Sequence, residues 1–271
     1  MTHEIKNLID RGALFVINHS GGKDSQAMMI KLLEIVPPQQ MVVVHADLGR
    51  VEWHGAKEVA MKQAADAGVA FEVALPIYKD GSVKDFLNMA EKRKADRPDV
   101  PSFPSSDCRT CTSDLKRGPI EKVIKRVLRE RGLKLVVDCQ GIRADESDAR
   151  KGLQPFTHLN TQLNKNGKPK SDLALAGREA YEWFPIFTLS TLDVWCAIRG
   201  AGQQPHAAYI AGNERLSCVF CIMGSENDIY LGSIARPELF AEYVAMEEKL
   251  GYTMHMNRLS LKEIVAKAQA A

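Results

Sequence analysis

The segment Ser20–Ser25 (SGGKDS) constrains this chain more than any other part of its sequence. It follows an apolar run, residues 13–17, and precedes a stretch with helical periodicity, so it predicts a strand, a glycine turn and a helix in that order. Two glycines let the backbone turn tightly and approach an anion without a Cβ in the way. Serine hydroxyls and the first N–H groups of a helix can donate to phosphate oxygens. The segment therefore predicts a phosphate-binding loop.

The spacing of this loop separates it from better-known phosphate loops. A Walker A loop has four residues between its first glycine and Gly-Lys-Ser/Thr, and the dinucleotide fingerprint has three spaced glycines. Asp24 can bind Mg²⁺ or simply begin a helix. An ordinary glycine turn between a strand and a helix is the alternative interpretation. The predicted phosphate ligands are Ser20, Gly21, Gly22, Lys23 and Ser25.

The first half of the chain alternates β-rich runs with helical patterns. Strands separated by single helices imply right-handed crossovers and a parallel sheet. The prediction is a doubly wound, mostly parallel α/β fold with a helical C-terminal tail. We expect an α/β domain over residues 1–235 and a helical extension over residues 236–271. The predicted strands are 14–18, 41–45, 70–75 and 134–139, and the predicted helices between them are 25–36, 53–67 and 119–131.

Polar residues follow two of these strands. Gly141 and Arg143 lie just beyond strand 134–139, and ligands bind at the carboxyl edge of such sheets. Arg143 is expected to contact phosphate, because a guanidinium binds it in a bidentate manner. The alternative is an ion pair with the carboxylate at 145 or 146. Asp47 follows the second strand and either binds a ribose or Mg²⁺ or caps the next turn.

Two Cys-x-x-Cys units lie about a hundred residues apart, at Cys108 and Cys111 and at Cys218 and Cys221. Two such units brought together make a site of four sulfurs, which predicts a bound metal. Spacing alone accepts either zinc or a 4Fe-4S cluster, and the apolar neighbours of the second unit favour the cluster. The remaining alternative is no metal, with the cysteines forming a redox dithiol or sharing this spacing by coincidence. The other two thiols, Cys139 and Cys196, are expected to lie in the core.

Composition narrows the class of protein. The chain has 271 residues and a formal net charge of +2, although residues 122–134 and 165–170 are locally basic. The first of these stretches also fits the solvated face of a helix. No apolar run approaches membrane length and no signal-peptide pattern opens the chain, so we expect a cytoplasmic protein. None of His19, His45 and His206 has an evident partner in the sequence.

Besides the loop, four further sequence segments with recognisable motifs follow one another in the chain. With the loop they span about residues 13–225. Together with the loop, they resemble the phosphoadenosine phosphosulfate (PAPS) reductase branch of the PP-loop ATP pyrophosphatase superfamily. The helical tail lies outside this resemblance. The segments are Cys-Thr-Ser-Asp-Leu-Lys at 111–116, Gly-Ile-Arg with a serine at 141–147, Pro-Ile and Asp-Val-Trp within 185–195, and residues 205–218 before the second cysteine pair.

This resemblance implies an adenine nucleotide alpha-hydrolase-like fold and an enzyme that splits ATP into AMP and pyrophosphate with Mg²⁺. It also implies that Ser147, beside Arg143, contacts the nucleotide. Locally, the cysteine segments are similar to the ATP-pyrophosphatase component of bacterial DNA phosphorothioation systems. The partners implied are a cysteine desulfurase, other sulfur-modification proteins and DNA as the eventual acceptor.

One departure from the reductases bears on activity. The assimilatory enzymes use a nucleophilic cysteine near the C-terminus, whereas this sequence has no cysteine after Cys221. Attack on the sulfur of a sulfonucleotide needs a thiol. Two alternatives to the ATP pyrophosphatase stay open: a sulfonucleotide reductase that uses an external thiol, and a nucleotide-binding redox sensor that turns nothing over.

Overall fold

The computed structural model describes residues 2–270 and contains one six-stranded sheet. The strands are β1 (Leu14–Asn18), β2 (Met41–Ala46), β3 (Ala70–Ala74), β4 (Leu135–Cys139), β5 (Phe156–His158) and β6 (Glu179–Trp183). The helices are α1 (His3–Asp10), α2 (Lys23–Leu33), α3 (Ala56–Asp66), α4 (Phe86–Asp96), α5 (Thr110–Thr112), α6 (Gly118–Glu130), α7 (Asp148–Lys151), α8 (Thr191–Gly200), α9 (Ala207–Ile210), α10 (Glu226–Ala235), α11 (Pro237–Leu250) and α12 (Leu261–Gln269).

The strand order is β3-β2-β1-β4-β6-β5, and every pairing is parallel except that of β5 with β6. From β1 the chain moves outward through β2 to β3 and then returns to place β4 on the other side of β1. The direction of winding therefore reverses between β1 and β4, and a crevice opens outside the carboxyl ends of strands at such a point. The loops that follow β1 and β4 lie at this crevice. The predicted α/β fold is confirmed.

Helices cover both faces of the sheet because its central strands are apolar on both sides. Phe15 and Ile17 of β1 face a core to which α2 and α8 contribute, whereas Leu14 and Val16 face a core with α6. All four side chains are fully buried. Each such side chain contributes about 1.5–3 kcal/mol through the hydrophobic effect, so β1 is held firmly and its loop starts from a fixed point.

The described chain forms two compact units. The first unit comprises residues 2–46, 57–74 and 120–205 and contains the whole sheet. The second comprises residues 47–56, 75–119 and 206–270 and is helical. Its core includes Phe86, Phe220 and Tyr243, so α11 shares a core with the second cysteine pair. The domain boundary expected after residue 235 stays a prediction.

The predicted C-terminal helices are present as α11 and α12. Gly251 follows α11 with φ +71°, the left-handed conformation that ends many helices and that glycine adopts without strain. Within residues 2–270, no helix is both long enough and apolar enough to cross a membrane.

Candidate active site

The predicted phosphate loop joins β1 to α2. Gly21 has φ +75°, a conformation that a residue with a Cβ adopts only at a cost, and Gly22 is the N-cap of α2. The Ser25 hydroxyl donates to the Gly22 carbonyl at 2.9 Å and accepts from the Ser20 N–H at 3.3 Å. The loop is thus closed on itself, with the positive end of the α2 dipole directed at the crevice.

Lys23, the first residue of α2, is buried and lies beside the carboxylate that follows it. Its Nζ is 3.3 Å from Asp24 Oδ2, and the other oxygen, Oδ1, accepts a hydrogen bond from Arg143 Nε at 2.7 Å. One carboxylate is therefore held between two cations. An ammonium group held at the first turn of a helix suits an anionic ligand.

Arg143 is almost wholly buried and is largely occupied within the protein. Besides Asp24, its guanidinium donates to Asp145 Oδ2 at 3.0 Å, to the Leu189 carbonyl at 3.3 Å and to Thr191 Oγ1 at 3.2 Å. The hydrogen bond from Arg143 lowers the pKa of Asp145, with the Thr191 N–H adding to the effect. A guanidinium has five N–H donors, so these four bonds leave one Nη2 donor without a partner in residues 2–270. The predicted phosphate contact of Arg143 stays a prediction.

The loop after β4 approaches the start of α2 closely. A Cβ built on Gly141 would lie 3.1 Å from the backbone nitrogen of Ser25 and 3.1 Å from the carbonyl carbon of Asp24. Glycine is needed here because backbone passes against backbone. A little further on, the Ser147 hydroxyl caps α7 by accepting from the Arg150 N–H at 3.3 Å. The predicted nucleotide contact of Ser147 is not tested by this arrangement.

Sequence reasoning missed a carboxylate cluster at the same edge. Asn18 Nδ2 donates to Asp138 Oδ1 at 2.6 Å, and Asp138 is in register with Glu182 of β6. Gln140 donates to both carboxylates, at 3.2 and 3.0 Å. Burial raises the pKa of Asp138 to about 6, the Glu182 charge adds to the increase, and the bonds from Asn18 and Gln140 oppose it. A charged residue inside the apolar strand Leu135–Cys139 was the available signal.

Asp47 directly follows β2 and belongs to the second unit. Its Oδ1 accepts from the Gly49 N–H at 2.8 Å, as in an Asx turn. This contact matches the alternative in which Asp47 caps a turn. Its predicted role toward a ribose or Mg²⁺ is not tested.

The four predicted metal ligands all lie in the second unit. Cys108 is exposed on the loop before α5, where its Sγ is 3.9 Å from Arg93 Nη2. Cys111, Cys218 and Cys221 are half-buried. Cys218 forms an antiparallel bridge with Glu52, which fixes the start of the second cysteine turn.

Three of these thiols act on one another electrostatically. Burial raises the pKa of Cys111 and that of Cys218, and the charge of Cys221 raises both further. The half-buried Lys116 lies near all three: burial lowers its pKa, but the thiolate charges outweigh that effect and its pKa is raised. A lysine in this position stabilises thiolates, which are the form that binds metals.

A buried phenol in this region has no partner. Tyr243 Oη accepts and donates no hydrogen bond within residues 2–270, although the residue is fully buried. Its ring centroid is 5.1 Å from that of Phe220, which lies between Cys218 and Cys221. Orphaned buried donors are rare and usually mark a missing group. The sulfur atoms of a metal cluster are hydrogen-bond acceptors.

The four cysteines have the right chemistry to bind a metal ion or cluster through sulfur, but they do not form a preformed metal-binding geometry. No three His, Cys, Asp or Glu side chains among the described residues are placed to bind a single metal ion. The charges of Cys111, Cys218 and Cys221 nevertheless all raise the pKa of Lys116, so these three thiols lie near one cation. Iron–sulfur clusters and zinc both accept such thiols.

The two remaining cysteines differ from each other. Cys139 is fully buried, as predicted, and burial raises its pKa well above the ordinary value. The expectation that Cys196 lies in the core is wrong, because this residue is exposed on α8 with its Sγ 3.8 Å from Arg199 Nη2. The apolar stretch around Cys196 packs through Val194 and Ile198 instead.

The sequence profile of the family described as "Phosphoadenosine phosphosulfate reductase domain" matches residues 15–223, which include the loop, the Gly141 segment and both cysteine pairs. The chain belongs to this PAPS reductase domain family. Membership supports a nucleotide-binding, sulfur-related function, and it confirms the resemblance described from the sequence motifs. A comparison with curated proteins gave no match.

Solved structures similar to this PAPS reductase domain protein include three enzymes. They are the PAPS reductase from Candida auris in a phosphate complex (14% identity, TM-score 0.46, 80% of this chain and 96% of that chain), the NH3-dependent NAD synthetase from Campylobacter jejuni in complex with nitrate (12%, 0.39, 97% and 91%), and the U34-tRNA thiolase NcsA from Methanococcus maripaludis with its 4Fe-4S cluster (12%, 0.42, 98% and 78%).

Proposed function

We propose that this protein is an ATP pyrophosphatase that converts ATP to AMP and pyrophosphate and so activates an acceptor for sulfur transfer. The acceptor is a nucleic acid, as in DNA phosphorothioation, and a cysteine desulfurase supplies the sulfur. One observation carries the proposal: a glycine loop closes over the start of α2 at the point between β1 and β4 where the winding of the sheet reverses.

In this proposal, catalysis depends mainly on positioning the phosphates and on stabilising their charge. The backbone of Gly21 and Gly22, the hydroxyls of Ser20 and Ser25 and the ammonium of Lys23 hold the phosphates. Negative charge that develops on the leaving pyrophosphate is then stabilised by groups already in place, which need no reorganisation. Arg143 has one Nη2 donor left for a phosphate oxygen and otherwise fixes Asp24.

Mg²⁺ would supply charge neutralisation to the phosphates when it is bound. Of the two predicted carboxylates, Asp24 lies beside the loop, where it also contacts Lys23 and Arg143. The role of Asp47 toward Mg²⁺ stays a prediction. The four cysteines would hold a 4Fe-4S cluster, with zinc as the alternative. Lys116 would stabilise the thiolates there, and Tyr243 would donate to a sulfur atom.

The direct test identifies the products of ATP. Protein with Mg²⁺ and ATP is expected to yield AMP and pyrophosphate, separated by ion-exchange chromatography. The appearance of ADP and phosphate would contradict the proposal. ATP binding without turnover would support the redox-sensor alternative instead.

A sulfonucleotide reductase is the alternative favoured by the family description. Residues 222–271 contain no cysteine to attack a sulfonucleotide, and Cys139 is buried, so Cys196 on α8 is the one exposed thiol outside the two pairs. With thioredoxin as reductant, we expect no sulfite from PAPS or adenosine phosphosulfate. Catalytic sulfite release would favour a sulfonucleotide reductase over the ATP pyrophosphatase.

A basic face supports the choice of a nucleic acid as acceptor. Lys125 on α6 forms an ion pair with Asp172 at 3.1 Å, which brings the helix and the loop 159–178 together. Residues 120–134 and 159–178 carry ten Lys and Arg against three Asp and Glu, a formal charge of +7, whereas the whole chain carries +2. The rest of the chain is therefore at −5. Segregated positive charge of this kind attracts a polyanion.

The loop itself presents its charges in an ordered way. Asn164 N–H donates to the Lys168 carbonyl at 2.8 Å, and Leu163 pairs with Pro169, so residues 162–170 form a short hairpin. Lys165, Lys168 and Lys170 on this hairpin are exposed and form no ion pair within residues 2–270. Lysines that have no carboxylate partner are available for phosphate.

Salt-dependent binding tests this surface. Replacement of the three hairpin lysines by alanine should weaken binding to a fluorescent DNA or RNA duplex and reduce the slope of log K against log salt by about 2–3. The matched control replaces Lys249, Lys262 and Lys267, which are paired with glutamates on the second unit. Equal slopes for both triple variants would remove the support for a nucleic acid acceptor.

A further inference from the structure

His19 links the end of β1 to the phosphate loop and is almost completely buried. Its backbone N–H donates to the Val44 carbonyl at 3.0 Å, and its carbonyl lies 2.8 Å from His45 Nδ1, which must be the donor in that contact. β2 thus holds both the N–H and the carbonyl of His19, which fixes the backbone from which its ring projects.

The two ring nitrogens of His19 have distinct partners. The Gly21 N–H donates to Nδ1 at 3.0 Å, and Nε2 lies 2.6 Å from Gln63 Oε1. A backbone N–H can only donate, so Nδ1 carries no proton. The neutral ring then has its proton on Nε2, where it donates to Gln63.

Gln63 extends the network to two more elements of the first unit. Its Nε2 donates to the Gln26 carbonyl at 3.0 Å and to Gln203 Oε1 at 2.8 Å. Gln203 Oε1 also accepts from Gln26 Nε2 at 3.0 Å. Each hydrogen bond from His19 through Gln63 to Gln203 pairs one donor with one acceptor. These bonds together fix the tautomer of His19. Gln26 Oε1 is the one side-chain acceptor of these three glutamines that is buried without a partner within residues 2–270. The hydrogen bonds that are formed favour one conformation of the His19 ring.

We propose that His19 is a positioning residue for the phosphate loop: its Nδ1 holds the Gly21 N–H and so keeps the loop in its ligand-binding conformation. This proposal rests on the proposed function, because it assigns the loop to phosphate binding. The contact from a side-chain acceptor to the N–H two residues on is the arrangement of an Asx turn. It stabilises the positive φ of Gly21, which directs the following peptide groups toward the crevice.

The surroundings of His19 keep its ring neutral. Burial lowers its pKa to about 4, the charge of His45 lowers it further, and the bond to Gln63 opposes these effects. From α2 and α3 the neighbouring groups are Ser25, whose Oγ lies 3.3 Å from Nδ1, and Gln63, neither of which titrates. Nδ1 is therefore an acceptor at neutral pH.

Two substitutions distinguish the hydrogen bond to Gly21 from simple packing of the side chain at position 19. His19→Asn keeps an acceptor that can reach the Gly21 N–H, whereas His19→Leu keeps none, and both lose the bond to Gln63. We expect His19→Leu to weaken ATP affinity by about tenfold or more, and His19→Asn by less than about threefold. His158→Asn in β5 is the matched control and should bind ATP as the unaltered protein does.

Calorimetric titration with Mg²⁺ and ATP measures these affinities, and thermal unfolding reports any general loss of stability. Equal losses of affinity in His19→Asn and His19→Leu, or no loss in His19→Leu, would overturn the proposal. Hydrogen exchange of the Gly21 amide gives a readout that needs no ligand: it should become fast in His19→Leu and stay slow in His19→Asn. If the unaltered protein fails to bind ATP, the proposed function fails, and amide exchange still decides the role of His19.

Discussion

Arg143 Nε lies 2.7 Å from Asp24 Oδ1, although 119 residues separate the two in the chain. This pair joins the loop after β4 to the first turn of α2, and Lys23 contacts the same carboxylate from the other side. Because the guanidinium is almost wholly buried, the pair is shielded from solvent on the arginine side. The phosphate loop and the Gly141 segment are therefore electrostatically coupled.

Removal of this arginine should destabilise the first unit. We expect Arg143→Ala to lower the free energy of unfolding by about 3 kcal/mol, because it removes one of the two cations that hold the partly buried Asp24 carboxylate. Arg143→Lys should recover only part of this, since an ammonium cannot reach four acceptors at once. Urea unfolding without nucleotide measures the effect. An unchanged unfolding free energy combined with weaker ATP binding would mean that Arg143 serves phosphate alone.

Lys23 is expected to contribute directly to turnover. Lys23→Ala should reduce the rate of pyrophosphate release by ~10²–10³-fold, the usual effect of removing one group that stabilises developing charge. The control is Lys31→Ala on the same helix, where the lysine is exposed and pairs with Glu34 at 2.7 Å. A rate that falls equally in both variants would argue against a specific role for Lys23.

The cysteines should bind iron. Protein isolated without oxygen is expected to be brown and to contain iron and acid-labile sulfide, and serine at 108, 111, 218 or 221 should remove the colour. Serine at Cys196 should not, because that thiol is exposed on α8 of the other unit. Stoichiometric zinc in colourless protein would overturn the cluster but keep the four-cysteine site.

The buried groups His19 and Asp138 should change the pH dependence of the unfolding free energy in opposite directions. His19 binds a proton in the unfolded chain but not in the fold between pH about 4 and 6.5, so its contribution to stability grows as pH rises. Asp138, with a pKa of about 6, binds a proton only in the fold between pH 3.8 and about 6, so its contribution falls as pH rises. The two contributions offset each other between about pH 4 and 6.

Substitution of the aspartate separates these contributions. In Asp138→Asn, the slope of unfolding free energy against pH should become more positive by about 1.4 kcal/mol per pH unit between pH 4 and 6. In His19→Asn, it should become less positive by a similar amount. Urea unfolding at several pH values measures both slopes, and parallel curves for all three proteins would contradict the assignment.

Strands with strong patterns could be predicted from the sequence. β1 begins and ends as predicted, and β2, β3 and β4 differ from prediction by one residue at one end. Helices were less exact: the predicted 25–36 is Lys23–Leu33, because Gly22 caps the helix earlier than its periodicity suggests. β6 was missed since Glu179–Trp183 has only Ala180 fully buried and lacks an apolar run.

The site could be predicted only where its residues are neighbours in sequence. The loop of residues 20–25 was found because all its members are adjacent. His19 was passed over because Gln63, the partner of its Nε2, lies 44 residues away and is not a residue type that marks a site. The pairing of Arg143 with Asp24 was missed for the same reason, since only the fold brings the two together.

The core shared by α11 and the second cysteine pair has a consequence for how the chain can be shortened. The family match ends at residue 223, but Leu239 and Tyr243 of α11 fill the same core as Phe220. Gly232 of α10 passes so close to that turn that a Cβ there would lie 2.9 Å from Val219. A fragment cut at the family boundary would leave Val219 and Phe220 facing water, a surface prone to aggregation. The segment that matches the family therefore ends before the segment that completes this core.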